Sequence, residues 1–201
     1  KYDACLNIGG FANLSFQNGE ERIAFDICPA NIVLNQLTRE LGEPFDRGGA
    51  IARKGTVSPE LLAALNELPF YKEAAPKSLG LEWVKAEIFP ILQTYEISVE
   101  DKIATFTAHI SVQLAEAFKQ LTSTKNGILV TGGGAYNTYL IASTQKLTRN
   151  TLFIPEANLI EFKEALIFAF MGVLRLRNTN NVLKCVTGAS KDHCAGLLYS
   201  P

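Results

Sequence analysis

The stretch Ile128-Leu129-Val130-Thr131-Gly132-Gly133-Gly134-Ala135-Tyr136-Asn137 constrains this chain most. An apolar β-like run stops at three consecutive glycines and the sequence then turns helical, so it reads as strand, glycine turn, helix. Glycines cost backbone entropy on folding and bury no side chain. Three in a row therefore mark a main chain that takes unusual dihedrals or is approached closely. Backbone N–H groups at such a turn, followed by a helix N-terminus, suit a phosphate or ribose, and the missing side chains leave room for a flat base. A tight strand-to-helix connection with nothing bound accounts for the same glycines equally well.

Upstream, Ala4 to Ile8, Ala12 to Phe16 and Arg22 to Ile27 read as three strands, separated by Gly9-Gly10 and by a turn at Asn18-Gly19, a strong hairpin signal. Pro29 breaks the ladder, and Ile32, Val33, Leu37 and Leu41 at helical spacing predict a helix closed by Gly42. A mainly helical insertion occupies about 42–97. Ser58-Pro59-Glu60 starts one helix there, and a second covers Leu81 to Leu92 with an irregularity at Pro90. Ser98-Val99-Glu100-Asp101 resembles a capping box before a long helix striped by Ile103, Phe106, Ile110, Leu114 and Phe118. His109, beside that stripe, reads as a packed or exposed residue rather than a ligand.

After the glycines come a helix to about Leu147, a strand from Thr151 to Pro155 and a final helix from about Ile160 to Arg177. That last helix is apolar on most faces and so reads as buried; Val182 to Val186 reads as a strand. The order predicts an α/β fold, a mixed sheet begun by an N-terminal β-hairpin sheet and flanked by helices.

With 201 residues and 47% hydrophobic content the chain can bury a sizeable core. Nineteen basic against 20 acidic residues leave no electrostatic footprint for nucleic acid or an anionic membrane. The longest apolar run, Ala165 to Leu174, falls well short of the about 20 residues of a membrane span, and no signal peptide is recognisable. Cys5, Cys28, Cys185 and Cys194 lack the close spacing of zinc or dithiol sites and read as buried free thiols, which fits a cytoplasmic protein. No metal site is expected within the chain. The opening at Lys1 without a Met reads as a piece of something longer. The phosphate loop, the Gly-x-Ser-x-Gly elbow and the His-Glu-x-x-His pair are absent from the sequence. A dinucleotide motif matches in part: Gly132-x-Gly134 follows a strand and Glu156 follows the next, but Asn137 replaces the third glycine. An NAD-binding oxidoreductase is therefore one reading.

A fuller reading joins Gly9-Gly10, Gly132-Gly133-Gly134 and Asp26. The three together look like half of a sugar kinase of the actin, hexokinase and Hsp70 superfamily. Segments spread along the chain narrow this further: Leu6-Asn7-Ile8-Gly9-Gly10-Phe11-Ala12-Asn13, Phe25-Asp26-Ile27-Cys28-Pro29-Ala30-Asn31, Phe45-Asp46-Arg47-Gly48-Gly49-Ala50, Pro76-Lys77-Ser78-Leu79-Gly80, the triple glycine through Asn137, Glu164-Ala165, and Thr187-Gly188-Ala189. Their identity and order resemble the anhydro-N-acetylmuramic acid kinase family over nearly the whole chain. The resemblance implies a single actin-like ATPase (ribonuclease H-like) domain over 1–201, the C-terminal half of a kinase. No Gly-Thr-Ser-Leu-Asp-Gly-like first phosphate turn is present, so the N-terminal half is an expected partner and this half alone is expected to be inactive.

The implied chemistry is ATP-dependent opening of a 1,6-anhydro sugar by water with phosphorylation of the 6-oxygen, in cytoplasmic peptidoglycan recycling. Asp26 would be the general base. Gly9 and Gly10 would meet the phosphates, Gly132, Gly133, Gly134 and Asn137 the adenosine, and Asn13 and Glu164 the sugar. Contacts to Mg2+ would come mainly from the other half, and a homodimer is compatible with the family. Cys28 and Ala30 stand where the family commonly has glycine, and Asn35 where it often has aspartate. These departures motivate an alternative: a non-catalytic nucleotide-binding interaction or sensing module. Without the resemblance, Asp26 reads as a strand-end residue capping the next helix.

Overall fold

Alternating apolar residues build the first three strands, which the structure, a computed structural model describing residues 1–123 and 125–199, places at Ala4–Ile8 (β1), Phe11–Asn18 (β2) and Glu21–Pro29 (β3). Thr124, Ser200 and Pro201, which a domain over 1–201 includes, lie outside the described residues. Asn18 pairs with Glu21, so the hairpin loop is Gly19-Glu20 rather than Asn18-Gly19. Gly19 alone takes positive φ, +59°, in the glycine-first order that type II′ turns use.

Helix α1 (Asn31–Glu40) follows, with Val33, Leu34 and Leu37 buried. Helix α2 (Pro59–Asn66) starts where expected, with Ser58 Oγ accepting from Leu61 N at 3.2 Å. The irregularity predicted at Pro90 sits one turn earlier. A π-helical turn over Val84–Ile88 separates α3 (Leu81–Trp83) from α4 (Phe89–Thr94), because Pro90 has no N–H to offer the preceding turn. The long helix α5 (Val99–Phe118) is capped by Ser98, whose Oγ accepts from Asp101 N at 3.1 Å. Asp101 turns away from the capping-box return and accepts from Thr56 N instead, at 2.6 Å.

Strand β4 (Ile128–Thr131), helix α6 (Thr138–Leu147), strand β5 (Leu152–Phe153), helix α7 (Ala157–Leu176) and the short α8 (Lys184–Thr187) complete the chain. The sheet order is β3-β2-β1-β4-β5, antiparallel from β3 to β1 and parallel from β1 to β5. That mixed order is not the doubly wound parallel sheet of a dinucleotide fold. One face of the sheet, carrying Leu6, Ile8, Leu14, Phe25, Ile128 and Val130, packs on Ile103, Phe106, Ile110 and Leu114 of α5 in a single core. No helix among the described residues is long and apolar enough to cross a membrane.

Three expectations change. Of the cysteines, Cys28 alone is buried and Cys5 is exposed; all four are free. Val182 makes only an isolated bridge with His193, and the residues after it form α8, which ends on Gly188 at φ +72°. Most notably, α7 is not buried. Ile160 is its one buried residue, and Phe162, Leu166, Phe168 and Phe170 are each about 60–70% exposed. Apolar periodicity records a surface that can be buried, and nothing among the described residues covers this one.

His109 is fully buried in a polar cluster under α5. Its Nδ1 meets Asn66 Oδ1 at 2.7 Å, an acceptor shared with the Gln113 amide at 2.9 Å, so Nδ1 carries the proton and Nε2 accepts from Tyr71 OH at 2.9 Å. Burial lowers its pKa from 6.5 to about 3. The folded chain therefore stays neutral there while the unfolded chain takes up a proton below about 6.5. The contribution of His109 to stability is complete above that pH and is lost as pH falls toward 3. Urea midpoints should show about 2 kcal/mol lost through this residue between pH 7 and pH 5. A His109→Gln variant, less stable overall, should show a flatter pH dependence; an unchanged slope would contradict the assignment.

Candidate active site

Strands β1, β3 and β4 point the same way, since β1 is parallel to β4 and β2 is antiparallel to both β1 and β3. Gly9-Gly10 and Gly132-Gly133-Gly134 thus leave neighbouring strands at the same end of the sheet although more than a hundred residues separate them in sequence, and Asp26, level with Asn13 and Asn7, lies a few residues back from that end on β3. The two glycine turns touch. A Cβ on Gly132 would stand 2.6 Å from Ile8 O, and one on Gly134 would stand 2.2 Å from Ile8 Cγ2. Gly132 also has φ +82°. These two glycines are therefore required by packing against β1, the tight-connection reading of the motif. Gly133 differs, because the nearest atom to its Cβ would be Asn31 Nδ2 at 4.0 Å.

Gly133 faces a cavity of about 490 Å³ between α1 and this turn, lined also by Asn31, Leu34, Asn35, Phe45, Arg47, Tyr136 and Asn137. Two half-exposed aromatic rings, Phe45 and Tyr136, flank it, and the Arg47 guanidinium lies 5.3 Å from the Phe45 ring centre. The loop carrying Phe45 and Arg47 is rigidly held. Asp46 accepts from Ile51 N at 2.8 Å and Ala52 N at 3.0 Å, and Thr138 Oγ1 donates to Gly48 O at 3.1 Å. Asn137 lines the cavity, but its Oδ1 caps α6 by accepting from Leu140 N at 3.0 Å.

At the other glycine turn, the carbonyls of Gly9 and Gly10 accept from the first N–H groups of α1, at 2.8–3.2 Å. Gly9 N–H donates to Phe11 O at 3.1 Å, whereas Gly10 N–H has no acceptor among the described residues. Asp26 is half-buried. Its Oδ2 accepts from Leu79 N at 2.8 Å and its own N–H donates to Lys77 O at 3.0 Å. Oδ1 has no partner among the described residues. The Asp26 carboxylate does not cap α1, whose start has no side-chain cap.

Register adds residues that the sequence did not single out. Asp26 pairs with Asn13, Asn13 with Asn7, and Asn7 with Thr131, so four polar residues form a row across four strands on the face away from the core. Lys163 of α7 closes the row by donating to Asn7 Oδ1 and, at 3.3 Å, to Thr131 Oγ1. Glu164 is exposed beside it. Cys28 and Ala30, the departures from the family pattern, are fully buried in the core. Among the described residues no group of three or more His, Cys, Asp or Glu could hold a metal ion.

The mixed 3-2-1-4-5 sheet flanked by helices has the actin-like ATPase fold. The chain superposes on the activator of the 2-hydroxyisocaproyl-CoA dehydratase from Clostridium difficile, solved with bound ADPNP, with TM-score 0.55 over 88% of this chain and 63% of that one, at 14% identity. The anhydro-N-acetylmuramic acid kinase family model matches residues 1–201, and the chain belongs to that family. It is 32% identical to the anhydro-N-acetylmuramic acid kinase of Burkholderia lata over 96% of this chain and 54% of the relative. For the Gloeobacter violaceus protein of the same name the figures are 33%, 94% and 53%. The chain thus spans about half the length of these relatives.

Proposed function

We propose that this chain forms one side of the cleft of a cytoplasmic, ATP-dependent kinase acting on 1,6-anhydro-N-acetylmuramic acid in cell-wall recycling. One observation carries the reading: a carboxylate with an open oxygen lies toward the same end of the sheet as two glycine turns and a nucleotide-sized cavity. Gly133 leaves the cavity wall open for the adenosine, with Phe45 and Tyr136 placed to stack on a base. Gly10 offers its N–H to a phosphate. Asp26 takes the proton of a water as the water oxygen bonds to the anomeric carbon. The bond from that carbon to the 6-oxygen breaks, and the 6-oxygen receives the terminal phosphoryl group of ATP, leaving ADP. Asn13, next to Asp26 in the row, positions the sugar, and Glu164 contacts it from α7.

The other half of the family's length supplies further phosphate and Mg2+ contacts and covers the apolar stripe of Phe162, Leu166 and Phe170. This chain alone therefore lacks turnover, because phosphoryl transfer rests on positioning and charge neutralisation from both sides. Incubating the full-length protein with ATP, Mg2+ and the anhydro sugar should yield N-acetylmuramic acid 6-phosphate. Nucleotide binding without any product would instead identify a sensing or interaction module.

A further inference from the structure

Lys163 stands in an unusual place for a lysine. Asn7 is two residues before Gly9 and Thr131 immediately precedes Gly132, so the acceptors that hold the ammonium lie at the feet of both glycine turns. Asn7 Oδ1 would lie only 2.7 Å from a Cβ on Gly132. Both partners are neutral oxygens. Among the described residues the one ion pair is Lys119 with Glu116, so Lys163 is a partly buried cation with no carboxylate against it. Burial pushes its pKa below the usual lysine value, and the neighbouring Glu164 carboxylate offsets this only in part, a cost that an anion would relieve. A clamp between α7 and the sheet would explain two hydrogen bonds, but a neutral side chain could make such a clamp. A charge here is better matched by an anion than by the two neutral oxygens that hold it, and no carboxylate among the described residues pairs with it.

We propose that Lys163 contacts the phosphates of the bound nucleotide, neutralising charge at the junction of the two glycine turns. This rests on the nucleotide reading of the site. As a compact point charge, a lysine ammonium suits a phosphate without demanding bidentate geometry. Lys163 also ties the phosphate end of the site to α7, the helix that carries the exposed apolar stripe.

The test is calorimetric titration of the full-length protein with ATP and, separately, with adenosine, for the wild type, Lys163→Met and Lys163→Arg. Lys163→Met should weaken ATP binding roughly 10-fold or more, flatten its salt dependence, and leave adenosine affinity within about twofold. Lys163→Arg should keep most of the preference for ATP over adenosine. Equal losses for ATP and adenosine would mean that Lys163 only holds α7 in place, and no loss for either would also overturn the proposal. A wild-type full-length protein that binds neither compound would overturn the nucleotide reading itself. Should Lys163→Met fail to fold, Lys163→Gln carries the same comparison.

Discussion

Gly134→Ala should destabilise the fold by about 3 kcal/mol, whereas Gly133→Ala should leave stability within about 0.5 kcal/mol and weaken nucleotide binding instead. The two positions are adjacent and chemically identical, so the difference is one of surroundings. At Gly134 the new methyl group would meet Ile8, itself fully buried, at 2.2 Å from Cγ2 and 2.7 Å from Cβ. Neither atom is the free end of a flexible chain, and the core beneath holds Ile8 in place. At Gly133 the methyl group enters open space that also lines the cavity. Gly132→Ala should resemble Gly134→Ala, since it combines φ +82° with a contact of 2.6 Å to Ile8 O. Urea unfolding of the three variants, paired with titration by ATP, separates the roles. A Gly133→Ala chain as unstable as Gly134→Ala would show that the whole triplet serves packing.

The triple glycine thus illustrates how far sequence reasoning reached. The packing reading holds at Gly132 and Gly134, while Gly133 leaves open the space that the proposed nucleotide would take. Three glycines spaced one apart look alike in sequence, and only their distances from β1 tell them apart. The strands were legible because Leu6, Ile8, Leu14 and Phe25 alternate with polar residues, and α5 because its apolar stripe repeats at helical spacing. Asn7, Thr131 and Lys163 were not. Their association depends on which residues of four strands fall opposite one another, and Lys163 is 156 positions from Asn7. The polar Asn7 inside an otherwise apolar strand, with Asn13 in the next one, was the available signal. The burial expected for α7 failed for a related reason: an apolar helix says what it can pack against, not whether that surface lies within the same 201 residues.

Asp26→Asn bears most directly on the proposed chemistry. The amide has nearly the shape of the carboxylate and can still accept from Leu79 N, so the fold and the cavity for adenosine should remain intact. What it loses is the ability to take a proton from water, an effect worth roughly 10²- to 10⁴-fold in rate. In the full-length protein, the decisive measurement is the rate of N-acetylmuramic acid 6-phosphate formation by Asp26→Asn alongside its affinity for ATP. A rate lower by that factor with unchanged ATP affinity is the predicted result. Wild-type turnover by the Asp26→Asn protein would contradict the assignment of Asp26 as the base.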